Sequence, residues 1–288
     1  MLLTILQQSS VLLIGLVSIV GLMVGSFLNV VIYRLPVMMQ RSWRSDCLEF
    51  LALPAESPGE TFNLLWPGSR CPACQHEIKA YQNIPVLSYL WLRGKCGHCN
   101  APISVRYPLI EAFTAGCSAL VAWHFGYGLA LLFALLLTWS LIALSFIDID
   151  HQLLPDSITL PMLWLGLALS LISLYADSHD SIVGALAGYL SLWSVYQLFK
   201  LLTGKEGMGY GDFKLLAMLG AWMGWQMLPV IILLSSVVGA VIGVSMIVFR
   251  QHEASRPIPF GPYLAAAGWL ALLWGDDINR FYLHYVGL

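Results

Sequence analysis

The sequence predicts an all-α, polytopic membrane protein of about eight transmembrane helices, with a small polar domain between the first and the second. Three observations carry this expectation. Of 288 residues, 58% are hydrophobic and only 10% charged, whereas soluble domains carry roughly a quarter charged residues; the mean hydropathy is +0.75. Several apolar runs approach the ~20 residues that cross a hydrocarbon core. The basic residues fall almost wholly in alternate loops, as shown below. Eleven Trp and twelve Tyr suit two interfacial belts. The net charge of -2 argues neither for nor against a charged partner; the expected partners are membrane lipid and a protein substrate, with no nucleic acid.

The first run, 11–33, has no Lys or Arg before Arg34 and is too long for the apolar core of a signal peptide. It is read as a retained helix, residues 1–33 forming the first transmembrane segment. Residues 34–107 change character: eight of the fourteen Lys and Arg lie here with several prolines. This segment is the candidate extramembrane domain. Residues 108–288 form a seven-helix membrane domain, with spans at 108–125, 129–147, 158–176, 182–199, 213–228, 230–249 and 260–274. Gly126-Tyr127-Gly128 and the stretch 226–229 serve as tight turns.

Threaded from an outside N-terminus, the inner loops are 34–107, 148–157, 200–212 and 250–259. With Lys214 they hold thirteen of the fourteen basic residues, leaving Arg280 outside. That asymmetry is what the positive-inside rule demands. The polar domain is then cytoplasmic.

Charged groups beside lipid are costly and mark function. Asp148, Asp150 and Asp156 lie where the third span reaches the cytoplasm, and Asp212 lies where the sixth begins. Two carboxylates brought together share a proton and act as base and acid at once. The glycines of Gly207-Met208-Gly209-Tyr210-Gly211 admit unusual torsions and close approach of a substrate strand. Asp156, after Pro155 and before an apolar run, reads best as a helix N-cap. Asp150, two residues from Asp148, points to another helix face. For Asp148 and Asp212, chemistry alone leaves catalysis open beside cation binding, which would make the chain a transporter. Against transport, both acids sit at one membrane edge and no repeated half with a broken midplane helix is visible.

Cys71-Pro72-Ala73-Cys74 and Cys96-Gly97-His98-Cys99 form two C-x-x-C knuckles separated by 21 residues. Cys71, Cys74, Cys96 and Cys99 at this spacing suit one structural zinc ion, and a reducing cytosol disfavours disulfides. The 34–107 segment is thus expected to be a cytoplasmic zinc-binding domain that gains its fold from the metal. His76 and His98 are possible competing ligands. Cys47 and Cys117 have no paired partner.

Gly25-Ser26-Phe27-Leu28-Asn29-Val30-Val31-Ile32-Tyr33-Arg34-Leu35-Pro36, the knuckles, Ile147-Asp148-Ile149-Asp150-His151-Gln152-Leu153-Leu154-Pro155-Asp156 and Gly209-Tyr210-Gly211-Asp212 occur in an order that resembles the bacterial type IV prepilin peptidases, or prepilin leader peptidase/N-methyltransferases, which are intramembrane aspartyl proteases of the Gly-x-Gly-Asp type. The resemblance runs from Gly25 to the last span. It implies a catalytic pair at Asp148 and Asp212. It also implies cleavage of the basic leader of type IV prepilins or type II secretion pseudopilins after a Gly, in the bacterial inner membrane, with the site facing the cytoplasm and both termini periplasmic. A second activity is implied too: methylation of the new N-terminus by S-adenosylmethionine. No Gly-rich nucleotide-type turn is present, so resemblance alone points the methyl transfer towards the first span, where Gly25, Asn29 and Arg34 lie. From the residues themselves, Gly25 and Ser26 read as helix-packing positions, while Asn29 and Arg34 stay open between the methyl-transfer chemistry and an interhelical hydrogen bond or an interfacial anchor, respectively.

Overall fold

The computed structural model describes residues 6–54, 61–250 and 259–286. Within these the chain is helical, with two isolated β-bridges, Arg70 to Glu77 and Lys95 to Pro102. It divides into two compact units, Met1–Leu131 and Leu132–Leu288.

In the first unit α1 (Ser10–Phe50) starts behind Ser9, whose hydroxyl accepts the Leu12 amide. It does not stop with the apolar run at Tyr33 but continues through Pro36 for 41 residues in all, about 60 Å at 1.5 Å per residue. A 3-10 turn (Ala80–Asn83) and the short α2 (Leu87–Trp91) follow, then α3 (Arg106–Phe125). The sequence lets α1 and α3 approach through small residues. A Cβ on Gly25 would lie 2.7 Å from Glu111 Cα, and one on Gly21 would lie 2.9 Å from Ala115 Cα. Gly25 is therefore a packing position, as its residue type suggested. Gly126 closes α3 at φ +64, the left-handed torsion that glycine supplies cheaply.

The second unit is built from α4 (Leu129–His151), α5 (Asp156–Ser170), α6 (Ser178–Thr203), α7 (Tyr210–Met223), α8 (Leu228–Arg250) and α9 (Gly261–Val286), with a 3-10 turn at Trp225–Met227. The core forms around α7, which is apolar and buried on every face from Leu215 to Met223. Such a helix belongs at a bundle centre. Its neighbours meet it through glycines. Trp222 covers Gly166 of α5 and donates its Nε1–H to the Met162 carbonyl at 2.7 Å. A Cβ on Gly188 of α6 would lie 2.7 Å from the Leu216 carbonyl oxygen, and Gly184 and Gly220 bring the two backbones together. Leu219 sits over Gly268 of α9. Gly220→Val forces backbone against branched carbon, so it is expected to lower unfolding stability by at least about 2 kcal/mol, within the usual range for overpacking. Thermal melting in detergent would measure this.

Two spans are shorter than the sequence predicts. The 158–176 run ends as helix at Ser170, and 213–228 ends at Met223, where Gly224 takes φ +80. At 15 residues, α5 is about 22 Å long. Among the described residues, four segments are long and apolar enough to cross a membrane: Ser10–Phe50, Leu129–His151, Ser178–Thr203 and Trp225–Ser245. In α9 the helix bends at Trp274, where the predicted last span ends, and runs on to Val286. Trp222 is buried, and Trp269 donates to Thr138 Oγ1 at 3.1 Å.

Candidate functional site

Asp148 lies in the last turn of α4 and Asp212 in the first turn of α7. Their side chains are buried, at 6% and 8% exposure, and Asp212 feels the charge of Asp148 directly. Asp150 is exposed. The third element is α9. The Gly261 amide at its start donates to Asp148 Oδ2 at 3.0 Å.

Local sequence explains the convergence. Helix α4 ends because Gln152 takes a left-handed φ of 53°, with its amide closing on the Asp148 carbonyl at 2.8 Å. The chain then turns through Leu153–Pro155 into α5. Buried Leu154 wedges against both glycines of the site: a Cβ on Gly211 would lie 2.8 Å from Leu154 Cβ, and one on Gly261 would lie 3.2 Å from its Cδ2. The glycines before Asp212 do not use torsions closed to other residues, since Gly207, Gly209 and Gly211 are not among the positive-φ positions. What they supply is room: Gly211 for Leu154, and Gly207 for the Phe199 ring. The Tyr196, Tyr210 and Phe213 rings meet one another at tilted to edge-on angles, with centroids 5.3–5.6 Å apart.

Asp156 is not the N-cap of α5. Pro155 occupies that place, and both Asp156 carboxylate oxygens lie 2.7 Å from Lys214 Nζ. The cation one turn into α7 outcompetes the free amides of α5. The pair is solvent-accessible, so it adds about 1 kcal/mol at most.

In the first unit the four knuckle cysteines come together, with their sulfur atoms all within 4.8 Å of one another. The two knuckles repeat one backbone pattern. The Gln75 amide donates to the Cys71 carbonyl and the Cys71 amide to the His76 carbonyl, just as the Asn100 amide donates to Cys96 and the Cys96 amide to Ala101. Gln75 and Asn100 both take left-handed torsions, φ 57 and 58. All six cysteines are free thiols. Cys71 Sγ and Cys99 Sγ are 3.8 Å apart, which matches the edge of a tetrahedron with metal–sulfur bonds of ~2.3 Å, about 3.8 Å. This cluster could hold a metal ion. His76 and His98 are outside it and stack on each other at 4.3 Å.

The thiols differ electrostatically. The Cys99 and His98 amides draw the Cys96 thiol down to about 6. For Cys74 the His76 amide pulls downward too, but desolvation and the neighbouring thiols win and push it up to about 12. Without a cation, the cluster favours one negative charge and resists the next.

Three functional or structural groups were missed from sequence: Gly261, Leu154 and Glu111. Glu111 is buried on α3, accepting the Val86 amide at 2.8 Å and the Ser26 hydroxyl. It clamps a strained turn. Val86 sits at φ 60, ψ -48 with the Leu87 amide on the Pro85 carbonyl at 2.6 Å, a γ-turn rarely tolerated by a β-branched residue. A carboxylate inside an apolar run was a readable signal, the same one that marked Asp148. Asn29 does bridge helices, donating to the Gly25 and Tyr107 carbonyls at 3.2 Å. Arg34 is not an interfacial anchor. It is buried and donates to the Asn63 and Pro67 carbonyls at 2.9 and 2.6 Å, tying down the loop after α1. Glu111→Leu removes the clamp and is expected to cost roughly 2 kcal/mol, as for a hydrogen bond to a charged group, read as a lower melting temperature.

Among the described residues, four helical segments reach membrane-crossing length and two buried aspartates stand at helix ends. Residues 19–125 match the bacterial peptidase A24 N-terminal domain, and residues 135–244 match the type IV leader peptidase family. The chain belongs to that family. It is 62% identical over 270 residues to the prepilin leader peptidase/N-methyltransferase of Stutzerimonas stutzeri, covering 94% of this chain and 93% of the relative. It is 60% identical to the protein so named from Pseudomonas aeruginosa, covering 93% of each, and 46% identical to that of Legionella pneumophila, covering 93% and 94%. No solved structure matches the chain significantly.

Proposed function

We propose that the chain is a prepilin leader peptidase and N-methyltransferase of the bacterial inner membrane, cutting after the leader Gly with Asp148 and Asp212. The single observation that carries the catalytic assignment is the buried pair itself: two carboxylates from different helices, one within the field of the other. The two share one proton. The ionised partner takes a proton from water as it attacks the carbonyl of the leader Gly, while the protonated partner gives its proton to that carbonyl oxygen. The tetrahedral intermediate then collapses, its proton passing to the leaving amine. No covalent enzyme intermediate is required. Asp150, exposed and off this pair, is not assigned a catalytic role.

The membrane arrangement follows the basic residues: eight spans, periplasmic termini, a site at the cytoplasmic face, and residues 34–107 as a cytoplasmic zinc domain. The substrate's apolar helix lies among the spans and its basic leader stays in the cytoplasm. Zinc suits a donor set of four thiolates, with Cys71, Cys74, Cys96 and Cys99 closing the shell and leaving no place for substrate. S-adenosylmethionine supplies the methyl group when bound. The buried charged groups described in the first unit are already engaged, Arg34 by the Asn63 and Pro67 carbonyls and Glu111 by the Val86 amide and the Ser26 hydroxyl, so neither is assigned to the donor.

Membranes containing the chain are expected to shorten a prepilin-like peptide at the bond after its leader Gly. Replacing that Gly by a bulky residue in the substrate is expected to stop the cut. Cation uptake by sealed vesicles with no cleavage would support the transport reading instead.

A further inference from the structure

The Asp148 carboxylate is held by a residue outside the matched 135–244 region. Gly261 opens α9, and its amide is among those that a helix start leaves without an intrahelical acceptor. That amide donates to Asp148 Oδ2 at 3.0 Å in a buried setting. The positive end of α9's dipole reinforces the same contact. The next residue, Pro262, has no N–H, so the donor nearest along the chain cannot replace it. Gly261 also leaves no space for a side chain. A Cβ there would lie 2.7 Å from Asp148 Oδ2 and 3.2 Å from Leu154 Cδ2. Leu154 in turn fills the gap left by Gly211, beside Asp212. One buried leucine therefore touches the backbone glycine next to each aspartate.

We infer that Gly261 is a positioning residue for the peptidase reaction: its backbone amide fixes the Asp148 carboxylate, and its missing side chain sets the distance at which α9 closes on the pair. This rests on the reading of Asp148 and Asp212 as the catalytic dyad. The amide engages Oδ2 and so fixes the carboxylate plane, which decides where Oδ1 meets water or the scissile carbonyl. Misplacement of a reacting group by about 1 Å can cost on the order of 100-fold in rate.

The test uses the full chain in membranes, with Gly261→Ala and Asp148→Asn measured side by side on a prepilin-like substrate. Gly261→Ala is expected to lower kcat about 100-fold with KM within about threefold, because the added methyl displaces Asp148 and leaves substrate docking alone. Binding of a peptide isostere that mimics the tetrahedral intermediate is expected to weaken in step with kcat. A structural role alone would lower the amount of folded enzyme without splitting kcat from KM or weakening the isostere. If Gly261→Ala does not accumulate as folded protein, adding Leu154→Ala relieves the aliphatic side of the collision and leaves the contact with Asp148. That double variant is expected to show the same split. Cleavage by folded Gly261→Ala within threefold of wild type, or a loss confined to KM, overturns the inference. Undiminished cleavage by Asp148→Asn overturns the dyad reading itself, a separate outcome.

Discussion

Asp148→Asn and Asp212→Asn are each expected to reduce prepilin cleavage by about 10³-fold or more, whereas Asp150→Asn retains most activity. The expectation follows from what the pair must do. One group accepts a proton from water while the other donates one, and general acid–base catalysis contributes about 10²–10⁴-fold. An amide can do neither, yet it keeps the shape of the carboxylate. Both side chains are buried against protein, so the loss is one of chemistry and not of leader attraction. Asp150 is exposed two residues along α4, and its substitution leaves the pair in place. Initial rates with a prepilin-like peptide, at matched amounts of folded enzyme, measure all three. Comparable losses at Asp148 and Asp212 without additivity in the double variant would mark them as one unit.

Removal of metal from the cysteine cluster is expected to have the largest effect on folding. The segment around the knuckles has few buried apolar groups beyond Cys71. Its order depends on two turns, two bridges and a cluster of four sulfurs. Structural zinc binding is worth about 10–16 kcal/mol in small zinc modules, far more than such a segment gains otherwise. Purified protein is expected to hold one zinc per chain, and Cys71→Ser or Cys96→Ser to hold almost none. Chelation is expected to expose residues 61–105 to protease. The dependence on acid has a definite sign. Binding needs thiolates, so protons compete with the metal at all four sulfurs, and zinc retention is expected to decline as pH is lowered from neutrality and to be restored on neutralisation. Metal analysis after dialysis across that range checks it.

Much of this was legible in the sequence because the relevant signals are local. Apolar runs fixed the helices, and acids at their ends marked Asp148 and Asp212. The spacing of Cys71, Cys74, Cys96 and Cys99 specified a cluster before any fold was known. Long-range relations were not legible. Nothing near Gly261 announces that its amide meets a carboxylate 113 residues earlier. Asp156 had the right neighbours for a cap, but Lys214 lies 58 residues away. Arg34 follows an apolar run, as interfacial anchors do, yet turns inward to carbonyls of a later loop. Span lengths failed where apolar composition outlasts the helix, because Gly224 and the turn after Ser170 end helices inside apolar sequence. Glu111 was legible by the same criterion as the aspartates and was not singled out.

The most direct test of the central claim is intact-mass analysis of a prepilin-like substrate incubated with wild-type, Asp148→Asn and Asp212→Asn protein. Wild type is predicted to release the leader with its C-terminal Gly and, given S-adenosylmethionine, to leave a mature chain one methyl group heavier, while both variants leave the substrate at full length. Release of the same leader by either folded variant at the wild-type rate would contradict the account.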